Sequence, residues 1–146
     1  MTKKDLILRC DGGARGNPGP AGAGMVMEDA ETNNVLWKQG IFLGVRTNNQ
    51  AEYIAVYKGV EKALVMGFKT LHIYVDSELV CKQLNGKYKI KDAKLKEIAY
   101  GIMGMLEGFS YVVEHVYREE NTAADELANL AMDKGKEVGE AFTLYA

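Results

Sequence analysis

Leu6-Ile7-Leu8-Arg9-Cys10-Asp11-Gly12-Gly13-Ala14-Arg15-Gly16-Asn17-Pro18-Gly19-Pro20-Ala21-Gly22-Ala23-Gly24 decides the fold. Residues 6–10 are rich in β-formers and read as a strand that Asp11 closes. Segment 12–22 is dense in glycine and proline and turns the chain into a second apolar run near Gly24–Met27. A third run, Val35–Leu43, completes an antiparallel meander. Working outward, helical spacing covers about Asn48–Met66, with Gly67 as its stop, and Leu71-His72-Ile73-Tyr74-Val75 is a strand closed by Asp76. A helix opens at Ser77 and breaks at Asn85-Gly86; further helices span about Asp92–Leu106 and Thr122–Lys134, with a strand over Tyr111–Tyr117 between them. A meander followed by βα units predicts an α/β fold: a mixed five-stranded sheet, three antiparallel strands plus two parallel ones, with helices on both faces. Parallel first and fourth strands bring Asp11 and Asp76 to one C-terminal sheet edge, where open α/β sheets bind ligands.

Two further acids stand at helix starts. Thr47 with Gln50 has the form of a capping box, which places Glu52 just inside the helix, in its first turn, above the apolar stripe Val56, Val60 and Ala63. Asp125 lies in the first turn of the helix opened by Asn121-Thr122 and continued by Leu127, Ala128, Leu130 and Ala131. Each acid alone admits a plain role, as a helix-dipole partner or a turn residue. Brought together, four carboxylates repel unless cations neutralise them. A donor set of oxygens without Cys or His suits a hard cation, Mg²⁺ or Mn²⁺, rather than zinc.

Four ordered blocks carry a resemblance. Asp11-Gly12-Gly13 through Gly24, Thr47-Asn48-Asn49-Gln50-Ala51-Glu52, Val75-Asp76-Ser77-Glu78, and Arg118-Glu119-Glu120-Asn121-Thr122-Ala123-Ala124-Asp125-Glu126-Leu127-Ala128 resemble the four blocks of type 1 ribonucleases H, over roughly residues 4–133. The resemblance implies a ribonuclease H fold and an endonuclease that hydrolyses the RNA strand of RNA/DNA hybrids, leaving 5′-phosphate and 3′-hydroxyl ends. It implies two Mg²⁺ ions, with Mn²⁺ as a substitute: Asp11 bridging both, Glu52 and Asp76 holding the leaving-group ion, and Asp125 the ion that carries the attacking water. Cations about 3.5–4 Å apart are what phosphodiester hydrolysis needs to activate water and to hold the leaving oxygen. Gly12, Gly13, Asn17, Thr47, Asn48, Asn49 and Ser77 are then the expected substrate contacts, with amide groups suited to minor-groove edges and 2′-hydroxyls; glycine and asparagine also build ordinary turns.

The chain departs from much of that family. Asn85–Asp92 is too short for the tryptophan-bearing basic protrusion that many members carry, and the only tryptophan is Trp37. No histidine stands on a glycine-containing loop before Asp125; the shortened loop begins at Arg118, which is the candidate to take over that role, while His115 and His72 belong to strands. The pattern more closely resembles the compact form found in archaea and some bacteria. Net charge is −2, yet Lys82–Lys96 holds six lysines and one aspartate. Lys87, Lys89 and Lys91 are therefore expected to touch substrate phosphates, although a lysine-rich stretch is commonly a solvated face.

A chain of 146 residues with 47% hydrophobic content suits one domain, 1–146, with 134–146 as a tail docked through Phe142, Leu144 and Tyr145. No apolar run reaches the length of a membrane span and the N-terminus has no signal-peptide pattern, so the expected location is cytoplasmic, as a monomer, with no membrane partner. Cys10 and Cys81 lack the density of a disulfide framework and the spacing of a zinc site. Other readings are a broader nuclease that also cuts double-stranded RNA, a catalytically weak hybrid-binding module, and a phosphate-cradling ATPase of the sugar-kinase type, which needs two such domains.

Overall fold

The computed structural model describes residues 5–139. Its strands are β1 Asp5–Ala14, β2 Gly19–Asp29, β3 Val35–Arg46, β4 Thr70–Val75 and β5 Ser110–His115, and its helices α1 Asn48–Met66, α2 Glu78–Leu84, α3 Ala93–Leu106 and α4 Thr122–Lys134. They form one five-stranded sheet of order β3-β2-β1-β4-β5. β1, β2 and β3 pair antiparallel, whereas β4 runs parallel to both β1 and β5. The expected mixed sheet is the observed one. No helix among the described residues is long and apolar enough to cross a membrane. Phe142, Leu144 and Tyr145, expected to dock the tail, lie outside the described residues.

Alternation explains how the sheet is covered. Leu6, Leu8 and Cys10 of β1, Met25 and Met27 of β2, and Leu71, Ile73 and Val75 of β4 share one core with Tyr53, Val56, Val60 and Ala63 of α1 and Leu95, Ala99 and Ile102 of α3. On the other face Val26 packs with Ala124 and Leu127 of α4. β2 is thus buried on both sides, which is why its sequence is a continuous run of small and apolar residues. Gly22 and Gly24 let α4 lie directly on the sheet: a Cβ at Gly24 would stand 1.9 Å from the Ala124 carbonyl oxygen, and one at Gly22 2.5 Å from that of Ala128.

Three local expectations need correction. β1 does not stop at Asp11; it pairs with β2 as far as Ala14↔Ala21, and the reversal is confined to residues 15–18, with Gly16 at φ +97°. Gly12 is therefore a packing residue rather than a turn residue, since a Cβ there would meet the Ala51 carbonyl oxygen of α1 at 2.2 Å. Glu52 falls just past the first turn of α1 rather than within it, since that turn, beginning at Asn48 as expected, carries no acid. β5 ends at His115, and a short 3₁₀ turn, Arg118–Glu120, leads into α4. The Thr47–Gln50 capping box and the left-handed Gly67 stop of α1 are present as expected.

Candidate active site

The parallel ladder ends at Cys10↔Val75, so Asp11 and Asp76 emerge side by side at the sheet's C-terminal edge. Asp11 is 8% exposed. Burial, then the Asp76 charge, then close contacts with Asp125 and Asp76 hold its carboxyl well above the usual carboxylate range. Three of the four acids therefore meet at Asp11. Glu52 faces them from α1: burial pushes it up to about 7, the Ser77 side chain and the Arg118 charge oppose that shift, and the Asp76 charge adds to it.

The remaining predicted residues divide by what their side chains do. Ser77 caps α2 by accepting from the Val80 N–H at 3.2 Å, and its side chain lies close enough to Glu52 to favour the ionised acid. Thr47 Oγ1 accepts from the Gln50 N–H at 3.1 Å as a helix cap. Asn17 Oδ1 accepts from the Asn48 N–H at 3.0 Å, and Asn48 Oδ1 accepts from the Ala14 N–H at 2.8 Å. The two amides thus tie the β1–β2 turn to the head of α1 through their oxygen ends, leaving their NH₂ ends as donors. Asn48, Gly12, Gly13, Glu52, Asp125 and Arg118 line one open cleft of about 430 Å³ around Asp11. Lys87, Lys89 and Lys91 are exposed on the α2–α3 connection and do not line it. That connection is anchored from inside: Tyr53 donates to Gln83 Oε1 at 2.6 Å, and Gln83 Nε2 donates to the Lys89 carbonyl at 3.2 Å. His115 packs edge-on against Tyr117, and His72 stands 3.7 Å from Asp5.

Arg15 and Asn129 were not foreseen. Both line the cleft; Arg15 pairs with Asp133 at 2.6 Å and reaches the Asn129 carbonyl at 3.3 Å, while Asn129 Nδ2 lies 3.3 Å from Asp125 Oδ1. The helical spacing of Asn129 from Asp125, one turn apart, was the available signal.

The site suits a hard cation. Among the described residues no three His, Cys, Asp or Glu side chains form a ready metal cage. However, Asp76 Oδ2 is buried without a hydrogen-bond partner, and the acids around it are raised by burial and mutual repulsion. A cation would satisfy both at once, and an all-oxygen donor set is what Mg²⁺ or Mn²⁺ prefers.

A family model described as reverse transcriptase-like matches residues 9–131. The chain is 38% identical over 129 residues to the bifunctional protein Rv2228c of Mycobacterium tuberculosis; the match covers 88% of this chain but only 35% of that protein, so the chain spans about a third of this relative's length. Among solved structures, RNase H1 of the halophilic archaeon Halobacterium salinarum superimposes with a TM-score of 0.86 at 37% identity, over 89% of this chain and 98% of that one. LC11-RNase H1, solved in complex with an RNA/DNA hybrid, gives a TM-score of 0.84 at 39% identity, over 89% and 98% of the two chains. With the four acid-bearing blocks, the fold and these matches in agreement, the chain belongs to the type 1 ribonuclease H family.

Proposed function

We propose that this protein is a metal-dependent endoribonuclease that hydrolyses the RNA strand of RNA/DNA hybrids, leaving 5′-phosphate and 3′-hydroxyl ends. The observation that carries this reading is the meeting of Asp76 and Asp125 at a buried Asp11, with Glu52 opposite, in an open cleft at the sheet's C-terminal edge. Asp11, Glu52, Asp76 and Asp125 would hold the cations. Bound Mg²⁺, or Mn²⁺ in its place, would supply a water activated near neutral pH and neutralise charge on the phosphate. Ser77 would help hold Glu52 in place, and Arg118, which lines the same cleft, would offer a positive charge to the scissile phosphate. The NH₂ ends of Asn17 and Asn48, with Asn49 beside them, suit the 2′-hydroxyls and base edges of a minor groove. The hybrid found with LC11-RNase H1 supports that substrate class. The lysines of the α2–α3 connection would steer the duplex backbone.

The test is an incubation of labelled hybrid, duplex RNA, single-stranded RNA and duplex DNA with Mg²⁺ or Mn²⁺, with product ends analysed. Internal cleavage of the RNA strand of the hybrid is expected. Equal cutting of duplex RNA would replace this reading with a broader duplex nuclease, and hybrid binding without cleavage would leave a binding module.

A further inference from the structure

Asn121 is fully buried and occupies the N-cap position of α4, yet it does not cap. An asparagine there usually accepts from its own helix's first turn. Here its Nδ2 donates instead to the Cys10 carbonyl at 2.8 Å, a contact between residues 111 apart in sequence. Its orientation is fixed by chemistry, because only the NH₂ end of the amide can face a carbonyl. Its Oδ1 is then left buried with no hydrogen-bond partner among the described residues. Two features that ordinarily cost stability, a forgone cap and an unsatisfied acceptor, thus coincide on one side chain.

The same residue joins three parts of the candidate site. Cys10 immediately precedes Asp11 at the end of the β1–β4 ladder. The Asn121 carbonyl accepts from the Asp125 N–H at 3.1 Å, and the Asn121 N–H donates to the Arg118 carbonyl at 2.9 Å. We propose that Asn121 is a positioning residue that sets Asp125 and Arg118 at their working distance from Asp11, an inference that rests on the nuclease reading above. Its amide trades stability for geometry: an apolar side chain of the same shape would remove the unsatisfied acceptor but release the pin between α4 and β1.

The experiment uses the full chain and two variants, Asn121→Leu and Asn121→Ala, with three readouts: kcat and KM on a labelled hybrid, Mn²⁺ binding by calorimetry without nucleic acid, and the melting temperature without metal. For Asn121→Leu we expect kcat to fall about 10–100-fold and Mn²⁺ binding to weaken about tenfold. KM should stay within about twofold and the melting temperature at or above that of the parent. Where the leucine variant does not fold, the alanine variant is read the same way for kcat, KM and Mn²⁺. The inference is overturned by kcat and Mn²⁺ affinity that match the parent, by a rise in KM alone, which would make Asn121 a substrate contact, or by loss of folding in both variants, which would make it a stability residue. A parent that neither cleaves hybrid nor binds Mn²⁺ overturns the nuclease reading itself and this inference with it, a result distinct from failure in the variants alone.

Discussion

The two halves of the cleft are built differently. Asp11, Asp76 and Glu52 stand on β1, at the end of β4 and on α1, elements whose neighbouring positions Cys10, Val75 and Tyr53 are all buried in the main core. Arg118 and Asp125 stand on a 3₁₀ turn and the first turn of a helix, tied together by hydrogen bonds through Asn121 and Asn129. The first half is fixed by strand register, which cannot shift by one residue without turning every side chain to the opposite face. The second half rests on hydrogen bonds at the head of α4, a helix itself seated on β2, and its soft part is the exposed turn that carries Arg118. Charge repulsion is therefore stored where the scaffold is stiff, and adjustment is available where it is soft.

Breaking the stiff half should have the largest effect. Asp11→Asn should lower kcat by about 10³-fold or more, at least about 4 kcal/mol in transition-state terms, while the metal-free protein melts at the same or a higher temperature because the repulsion with Asp76 and Asp125 is relieved. Steady-state rates and metal-free melting curves check this, and an active Asp11→Asn protein at matched metal would sink the assignment.

In the soft half, Arg118→Ala should lower kcat by about 10–100-fold with little change in KM, because an exposed positive charge at the cleft mouth acts on the transition state more than on binding. A rise in KM alone would move Arg118 from the chemistry to substrate binding.

The cost of burying these acids, and the repulsion added to it, should also be visible without substrate. Glu52 rises from 4.5 to about 7 and Asp11 rises as well, so both bind a proton more tightly in the folded chain than in the unfolded one. Their contribution to stability is complete below about pH 4 and is lost as pH climbs, for Glu52 by up to about 3 kcal/mol once pH has passed about 7. Denaturant titrations with chelator at pH 5, 6, 7 and 8 should show falling stability, with the slope reduced in Asp11→Asn and reversed by Mg²⁺. A flat profile would mean that the acids are already neutralised by solvent.

The smallest effect lies outside the cleft. Changing Lys87, Lys89 and Lys91 together to Ala should weaken hybrid binding and flatten its salt dependence by about 0.9 in slope per lost contact, with activity at saturating substrate retained. Equal slopes for mutant and parent would make these lysines a solvated face.

Sequence reading reached the stiff half more fully than the soft one. Periodicity, the Thr47–Gln50 box and the Gly67 stop define α1 to the residue, and the β-rich runs before Asp11 and Asp76 place those acids on one edge. Glycine was the main source of error. Gly12 and Gly13 have the composition of a turn, but both continue β1, and at Gly12 α1 needs bare backbone beneath Ala51, a demand from a neighbour about 40 positions away in the chain. Asparagine holds a second role that composition does not show: the amide oxygens of Asn17 and Asn48 join the turn to the helix, an arrangement that only the folded chain creates. The link from Asn121 to Cys10 spans 111 positions and leaves no periodic trace.

Gly22 and Gly24 act as a gauge block. With the Ala124 and Ala128 carbonyls seated on bare β2 backbone, α4 already rests at the closest approach that sheet and helix permit, and β2 pairs Gly24 directly across from Asp11. The reach from Asp11 to Asp125 thus has a lower limit set by the thickness of a peptide chain, and Asn121 pins the head of the helix above that limit. A single methyl added beneath the helix would act as a shim, lifting Asp125 while every side chain in the cleft kept its identity. For anyone seeking to retune this site toward a larger cation, the lever is the floor under α4.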